Sequence, residues 1–296
     1  MKKFHFKVSL LIASLWLSLI SGVLAAGNAP DEPLVMTSGD GRFELYSDTN
    51  LDPKEAHAFL LTVQNAWNWL LETQQWVNPT LLDGQPVQLR LLDDDNAPSG
   101  GSGRGFTIAL KRLYTLPDLT KGTVAHELNH VQDRRQTGNG VVPGFITEGR
   151  GLTNGFWYRY SLGLPPQPYD HALARSIANF TPEQMSDVVH RMQRGDVHDA
   201  NDPKANARLE FGGAWFVEYL RTTFNGHGFP DVQPRLASVI SEVHNGIPFE
   251  DAFKKVFGVE FSRVQDAFIA FVTNTEGTHR VKSMIWEGLI GKENRN

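Results

Sequence analysis

His126-Glu127-Leu128-Asn129-His130 is the stretch that most narrows what this chain can become. Residues four apart share one face of an α-helix, so a helical reading brings both imidazoles to one point in space. Two imidazoles at that spacing can share a zinc ion. A carboxylate directly after the first histidine then stands beside a water on the metal, where it can take a proton and later give it up. The flanks favour the helix. Thr123-Val124-Ala125, Leu128 and Val131 supply apolar residues at helical spacing, and the breakers from Gly138 to Pro143 end the segment. The competing reading is a surface helix whose histidines happen to fall four apart.

A catalytic zinc site takes three protein ligands and leaves one position open, and two histidines with a carboxylate form an established set. Glu148 is the candidate third ligand, in Pro143-Gly144-Phe145-Ile146-Thr147-Glu148-Gly149. Pro143 and Gly144 break the first helix, so Glu148 can open a returning helix that runs through Leu152, Phe156 and Tyr160. The plainer role for Glu148 is an acidic residue in a first helical turn, favoured by the helix dipole.

With these residues in place, the chain resembles the gluzincin branch of the zinc metallopeptidases, the thermolysin-like group. That branch pairs HExxH on one helix with a zinc-binding Glu on the next, commonly in a phrase like W/F-x-x-E-G. His126, Glu127 and His130 match the first element, and Phe145-Ile146-Thr147-Glu148-Gly149 matches the second. Metzincins are disfavoured, because Asp133 and Gln136 stand where their extended motif needs a glycine and a third histidine. Phe216-Val217-Glu218-Tyr219-Leu220 and Ala252-Phe253-Lys254-Lys255-Val256-Phe257-Gly258 are similar to later helical phrases of small members, extending the resemblance over roughly residues 40 to 272. The resemblance implies zinc on His126, His130 and Glu148, with Glu127 as the catalytic base.

One departure stands out. Gluzincins generally supply a Tyr or His that binds the oxyanion opposite the zinc, and many relatives carry that Tyr shortly before the FVxYL-like phrase. Glu210 occupies the position here, between Leu209 and Phe211. Either another donor serves, with Tyr158, Tyr160, His190, His198 and Arg208 as candidates, or catalysis is weak. Losing one oxyanion donor costs about 3 to 4 kcal/mol, so zinc could stay bound while turnover fell.

Residues 1–25 read as an export signal: Lys2, Lys3 and Lys7 make a basic start, Val8 to Leu24 is largely apolar, and Val23-Leu24-Ala25 suits cleavage after Ala25. An uncleaved membrane anchor is the alternative. No later segment approaches the roughly 20 apolar residues needed to span a bilayer. The expected compartment is secreted or periplasmic. Processing leaves 271 residues, 25 basic against 33 acidic for a formal charge of −8, which argues against a nucleic-acid partner. There is no cysteine, so an exported chain must rely on packing and bound metal, and a cysteine zinc site is excluded.

The expected fold class is α+β: a small N-terminal mixed sheet packed on helices, the HExxH and Glu148 helices flanking a zinc cleft, and a mainly helical C-terminal lobe. Residues 26–165 form the first lobe and 166–296 the second. Phe43 to Ser47 and Val87 to Leu92 alternate as strands, with Val87, Leu89 and Leu91 facing one way; Pro53 to Trp76 reads as a helix with a broad apolar face. Asp93-Asp94-Asp95-Asn96 and the glycines up to Gly105 read as an exposed turn, with a calcium loop as the minor alternative. Phe106 to Leu110 reads as a third strand, and Gly103 to Thr107 as either a substrate-docking edge or an ordinary core-edge strand. Pro165, Pro166 and Pro168 break the chain after the Glu148 helix, and from Thr181 onward the pattern is helical: Glu183 to Gln193, Ala207 to Phe224, Pro234 to Asn245, Phe249 to Phe257 and Ser262 to Asn274. Trp157, Tyr158 and Tyr160 could line a pocket for an apolar side chain or fill core and rim. The remaining histidines form no local three-ligand cluster.

The leading expectation is an exported zinc peptidase acting on peptide or protein substrates. Endopeptidase action is preferred over aminopeptidase action, because no amine-binding motif such as GxMEN precedes His126. A zinc-containing binding protein on the same scaffold is the second reading, and metal-assisted hydrolysis of a non-peptide substrate the third.

Overall fold

A computed structural model describes residues 31–75, 84–94, 100–101, 103–137, 141–167, 170, 181–194, 203–222 and 232–273. The proposed export signal and His198 lie outside these residues. The order is β1 (Leu34–Thr37), β2 (Phe43–Ser47), α1 (Pro53–Gln74), β3 (Val87–Leu92), β4 (Gly100–Gly101), β5 (Gly105–Ala109), α2 (Lys111–Thr115), α3 (Pro117–Thr137), α4 (Gly144–Ser161), α5 (Pro182–Arg194), α6 (Pro203–Thr222), α7 (Val232–His244), α8 (Phe249–Phe257) and α9 (Phe261–Thr273). The class is α+β, as expected.

The five strands form one mixed sheet in the order β1-β2-β3-β5-β4. β2, β3 and β5 are parallel, and the edge strands β1 and β4 are antiparallel to their neighbours. Parallel neighbours need a crossover, and α1 supplies it between β2 and β3. Asp52 starts α1 by accepting the Lys54 N–H at 2.7 Å, Pro53 sits in the first turn where its missing N–H costs nothing, and Gln75 ends it in the left-handed region at φ 54°. The expected alternation of β3 holds: Val87, Leu89 and Leu91 are buried and their neighbours half-buried.

Two corrections concern the edge. Gly100 and Gly101, expected to lie in a turn, form β4 and pair with Thr107 and Phe106 of β5. β4 therefore pairs with β5 at Phe106 and Thr107, within the stretch read as either a docking edge or an ordinary core-edge strand, so β5 is an inner strand at those two positions. The third strand also starts and ends one residue earlier than the expected Phe106 to Leu110.

Two apolar cores result. The first joins the sheet to α1 and to Val124, Ala125, Leu128 and Val131 of α3, with Tyr158 reaching in from α4. The second lies among α4 to α9, built on Phe145, Phe216, Phe253 and Phe268. α4 belongs to both, giving Tyr158 to one and Phe145, Ile146 and Leu152 to the other. Among the described residues, every regular element after β5 is a helix. No helix of the described residues is long and apolar enough to cross a membrane.

Candidate metal centre

α3 carries His126, Glu127 and His130 on successive turns, and α4 returns against it after the Val142-Pro143 stretch. The helical spacing does what the sequence requires: His126 Nε2 and His130 Nε2 face each other at 2.9 Å. From α4, Glu148 Oε2 lies 3.2 Å from His130 Nε2 and 3.5 Å from His126 Nε2. Donor atoms bound about 2.0 to 2.1 Å from a tetrahedral zinc sit roughly 3.3 Å from one another, so this triangle has the size of one face of such a site. The three donors are buried or nearly so, and could hold a metal ion.

The electrostatics point the same way. Burial opposes a charge on His126, but its hydrogen bond to Glu148 and the charges of Glu127, Glu148 and Glu210 outweigh it and hold the imidazole up to about 9. A divalent cation at this point would replace that proton. Glu127 is 2% exposed, and burial pushes its carboxyl above the usual carboxylate range; His126 and His130 pull it down, while Glu148 and Glu210 push it further up.

Two charged groups near the trio were missed as such by sequence reasoning. Glu210 of α6, read from the sequence only as the absence of a tyrosine, is 2% exposed and acts electrostatically on both His126 and Glu127. Arg112 of α2 carries a partly desolvated guanidinium whose positive charge is supported by Glu127. Its carbonyl accepts the Thr120 hydroxyl and the Leu116 N–H, each at 3.0 Å, which pins α2 against the start of α3. Thr120 lies seven residues, two helical turns, before Glu127 on the same face.

Behind the trio runs a buried polar seam. Arg150 of α4 is 0% exposed and pairs with Asp133 of α3 at 2.6 Å. Its other nitrogens donate to Gln74 of α1 and, at 3.3 Å, to Gln233 of α7. Asn129 donates to Asp133 at 3.1 Å and accepts from Gln74 at 3.2 Å and from Asn154 at 2.8 Å. One hydrogen-bonded set therefore ties four helices together directly beside the metal-ligating turns. The available signal was the pair of polar i, i+4 repeats, Asn129 with Asp133 and Arg150 with Asn154, on two helices that must both be buried.

The expected oxyanion donors are scattered. Tyr158 is buried in the first core with its ring 5.4 Å from Trp69. Tyr160 is 45% exposed and His190 is exposed. Arg208 pairs with Asp187 at 2.7 Å. Trp157 donates to Glu218 at 2.9 Å and lies under the Arg221 guanidinium at 4.7 Å. Trp157 and Tyr160 meet edge to face at 5.6 Å, whereas Tyr158 turns away into the first core, so the three do not form one pocket wall. The chain matches no protein-family model, no curated protein and no solved structure.

Proposed function

We propose that this chain is an exported zinc-dependent peptidase that hydrolyses peptide bonds, acting as an endopeptidase. The observation that carries the proposal is the convergence of His126 Nε2, His130 Nε2 and Glu148 Oε2 on one point with the Glu127 carboxylate adjacent in sequence and buried. His126, His130 and Glu148 would hold the ion, and zinc so bound supplies Lewis acidity towards a carbonyl and an attacking water. Glu127 would take a proton from the attacking water and return it to the leaving amine. Its raised affinity for protons, a result of burial, suits both halves of that transfer. Arg112 supplies positive charge on the Glu127 side of the site. The basic start at Lys2, Lys3 and Lys7 and the apolar run that follows support export, and the acidic balance argues against nucleic acids as partners.

The test is Glu127→Gln, which keeps the size of the side chain and removes the base. The zinc-loaded variant is expected to retain its metal and lose about two to four decades of peptide hydrolysis. Equal turnover by variant and wild type would rule out the assigned role. Glu210 favours a second reading, a zinc-containing binding protein with weak or no catalysis, because it stands where the resembled enzymes carry the tyrosine that binds the oxyanion. Absence of turnover by zinc-loaded wild type across an unbiased peptide library would select that reading.

A further inference from the structure

Gly151 lies three residues after Glu148, on the side of α4 that meets α3. A Cβ on Gly151 would stand 3.1 Å from His126 Cε1, 3.1 Å from Nδ1 and 3.3 Å from Cδ2. Three ring atoms at nearly one distance mean that the missing side chain points at the face of the imidazole, not at its edge. The ring therefore lies flat on the α4 backbone. The two helices cannot part to make room cheaply, because one turn further along Gly155 packs on Gly122 so closely that a Cβ would sit 2.6 Å from the Gly122 carbonyl oxygen. On its other side α4 is held equally tightly, since a Cβ on Gly149 would stand 2.2 Å from the Gly213 carbonyl carbon of α6.

We propose that Gly151 is a positioning residue of the metal centre: its bare Cα is the seat that aims His126 Nε2 at the point shared with His130 and Glu148. The inference rests on the metal-binding reading of that trio. A methyl group at this position presses on the ring from above while the backbones on both sides stay fixed. The imidazole must then shift by a few tenths of an ångström, and its donor nitrogen leaves the metal-binding geometry.

The effect on the fold has the opposite sign. Alanine is a better helix former than glycine, and the three atoms nearest a Gly151 methyl all belong to one side-chain ring rather than to backbone. Gly151→Ala metal-free protein is therefore expected to melt at the wild-type temperature or above it. Zinc affinity, measured by chelator competition, is expected to fall about 10- to 100-fold, the usual cost of disturbing the support of a ligand. The cobalt(II)-loaded variant is expected to show an altered visible spectrum. Gly155→Ala, which meets backbone, should instead lower the melting temperature itself. Wild-type zinc affinity in folded Gly151→Ala would overturn the proposal. A measurement on the unaltered residue covers failure of the variant to fold: the Gly151 Hα resonances should be displaced by the imidazole ring current, and the displacement should vanish in His126→Ala. Ordinary glycine shifts in the wild type would overturn the seat. If wild-type protein binds no metal at all while those resonances are displaced, the metal and peptidase readings fail and the packing of His126 on Gly151 stands.

Discussion

The sheet-side core and the seam between α3 and α4 are neighbours, yet they are held by opposite chemistry. In the first, Phe43, Leu45, Trp67, Leu89 and Ile108 are fully or almost fully buried, and stability comes from apolar area removed from water. In the second, Arg150, Asp133, Asn129, Asn154 and Gln74 are equally buried, and each polar group must find a partner to offset its desolvation. An apolar core tolerates local repacking, whereas a buried hydrogen-bonded network, here left open at Asn154 Oδ1 and Gln233 Nε2, favours one arrangement of the helices that contribute to it. The seam therefore suits the place where three ligand atoms must meet within a few tenths of an ångström.

The largest expected effect falls on the ligands. His126→Ala or His130→Ala should remove most zinc binding, and Glu148→Ala should weaken it, as read by metal analysis after dialysis. Equal zinc in wild type and His126→Ala would break the assigned site. Next comes the seam: Arg150→Met leaves Asp133 buried without its cation, and denaturant unfolding should show a loss of about 3 to 5 kcal/mol. The double replacement Arg150→Met with Asp133→Leu should recover much of that loss while leaving metal affinity lowered, because the apolar pair no longer fixes α4 against α3. Recovery of both together would reduce the seam to a stability element. In the sheet core, Leu89→Ala should cost about 2 to 5 kcal/mol and leave the metal affinity of the folded protein unchanged. If it lowers affinity as Arg150→Met does, the two regions are not separable in the way proposed.

What could be read from the sequence divides along the same line. β2 and β3 were legible to the residue, because alternation over a half-buried strand is a local signal that tertiary contacts only reinforce. The trio was legible too: the i, i+4 spacing of the histidines and the Pro143-Gly144 break are local, and together they return Glu148 to the same point. β4 was not, since two glycines carry no pattern and the strand exists only through its pairing with β5. The seam left only its polar i, i+4 repeats in the sequence, for a further reason. Arg150 and Gln74 are 76 residues apart, and a polar residue on a helix reads as solvent-facing unless its distant partner is known. Gly151 was likewise visible only as a glycine in Glu148-Gly149-Arg150-Gly151, a composition that by itself weakens a helix.

The smallest expected effect is a pH dependence that pulls the fold and the metal site in opposite directions. In the metal-free protein the His126 imidazole is held up to about 9, against an ordinary value near 6.5. A raised folded value means that the proton stabilises the folded state. That stabilisation is fully present below about pH 6.5 and is lost as pH rises through about 9. Metal binding runs the other way, because the ion needs the neutral imidazole and must displace the proton. Zinc affinity should therefore rise about tenfold per pH unit, or roughly 1.4 kcal/mol, up to about pH 9 and then level off. Calorimetric titration in buffers of different ionisation enthalpy reads the proton directly, and close to one proton should leave His126 for each ion bound at neutral pH. Leu89→Ala should leave that count unchanged, since the groups that charge His126 are not members of the apolar sheet core. A count of zero in the wild type would mean that Glu127, Glu148 and Glu210 do not charge the ring, and the electrostatic account of the metal centre would have to be given up while the ligand geometry stood.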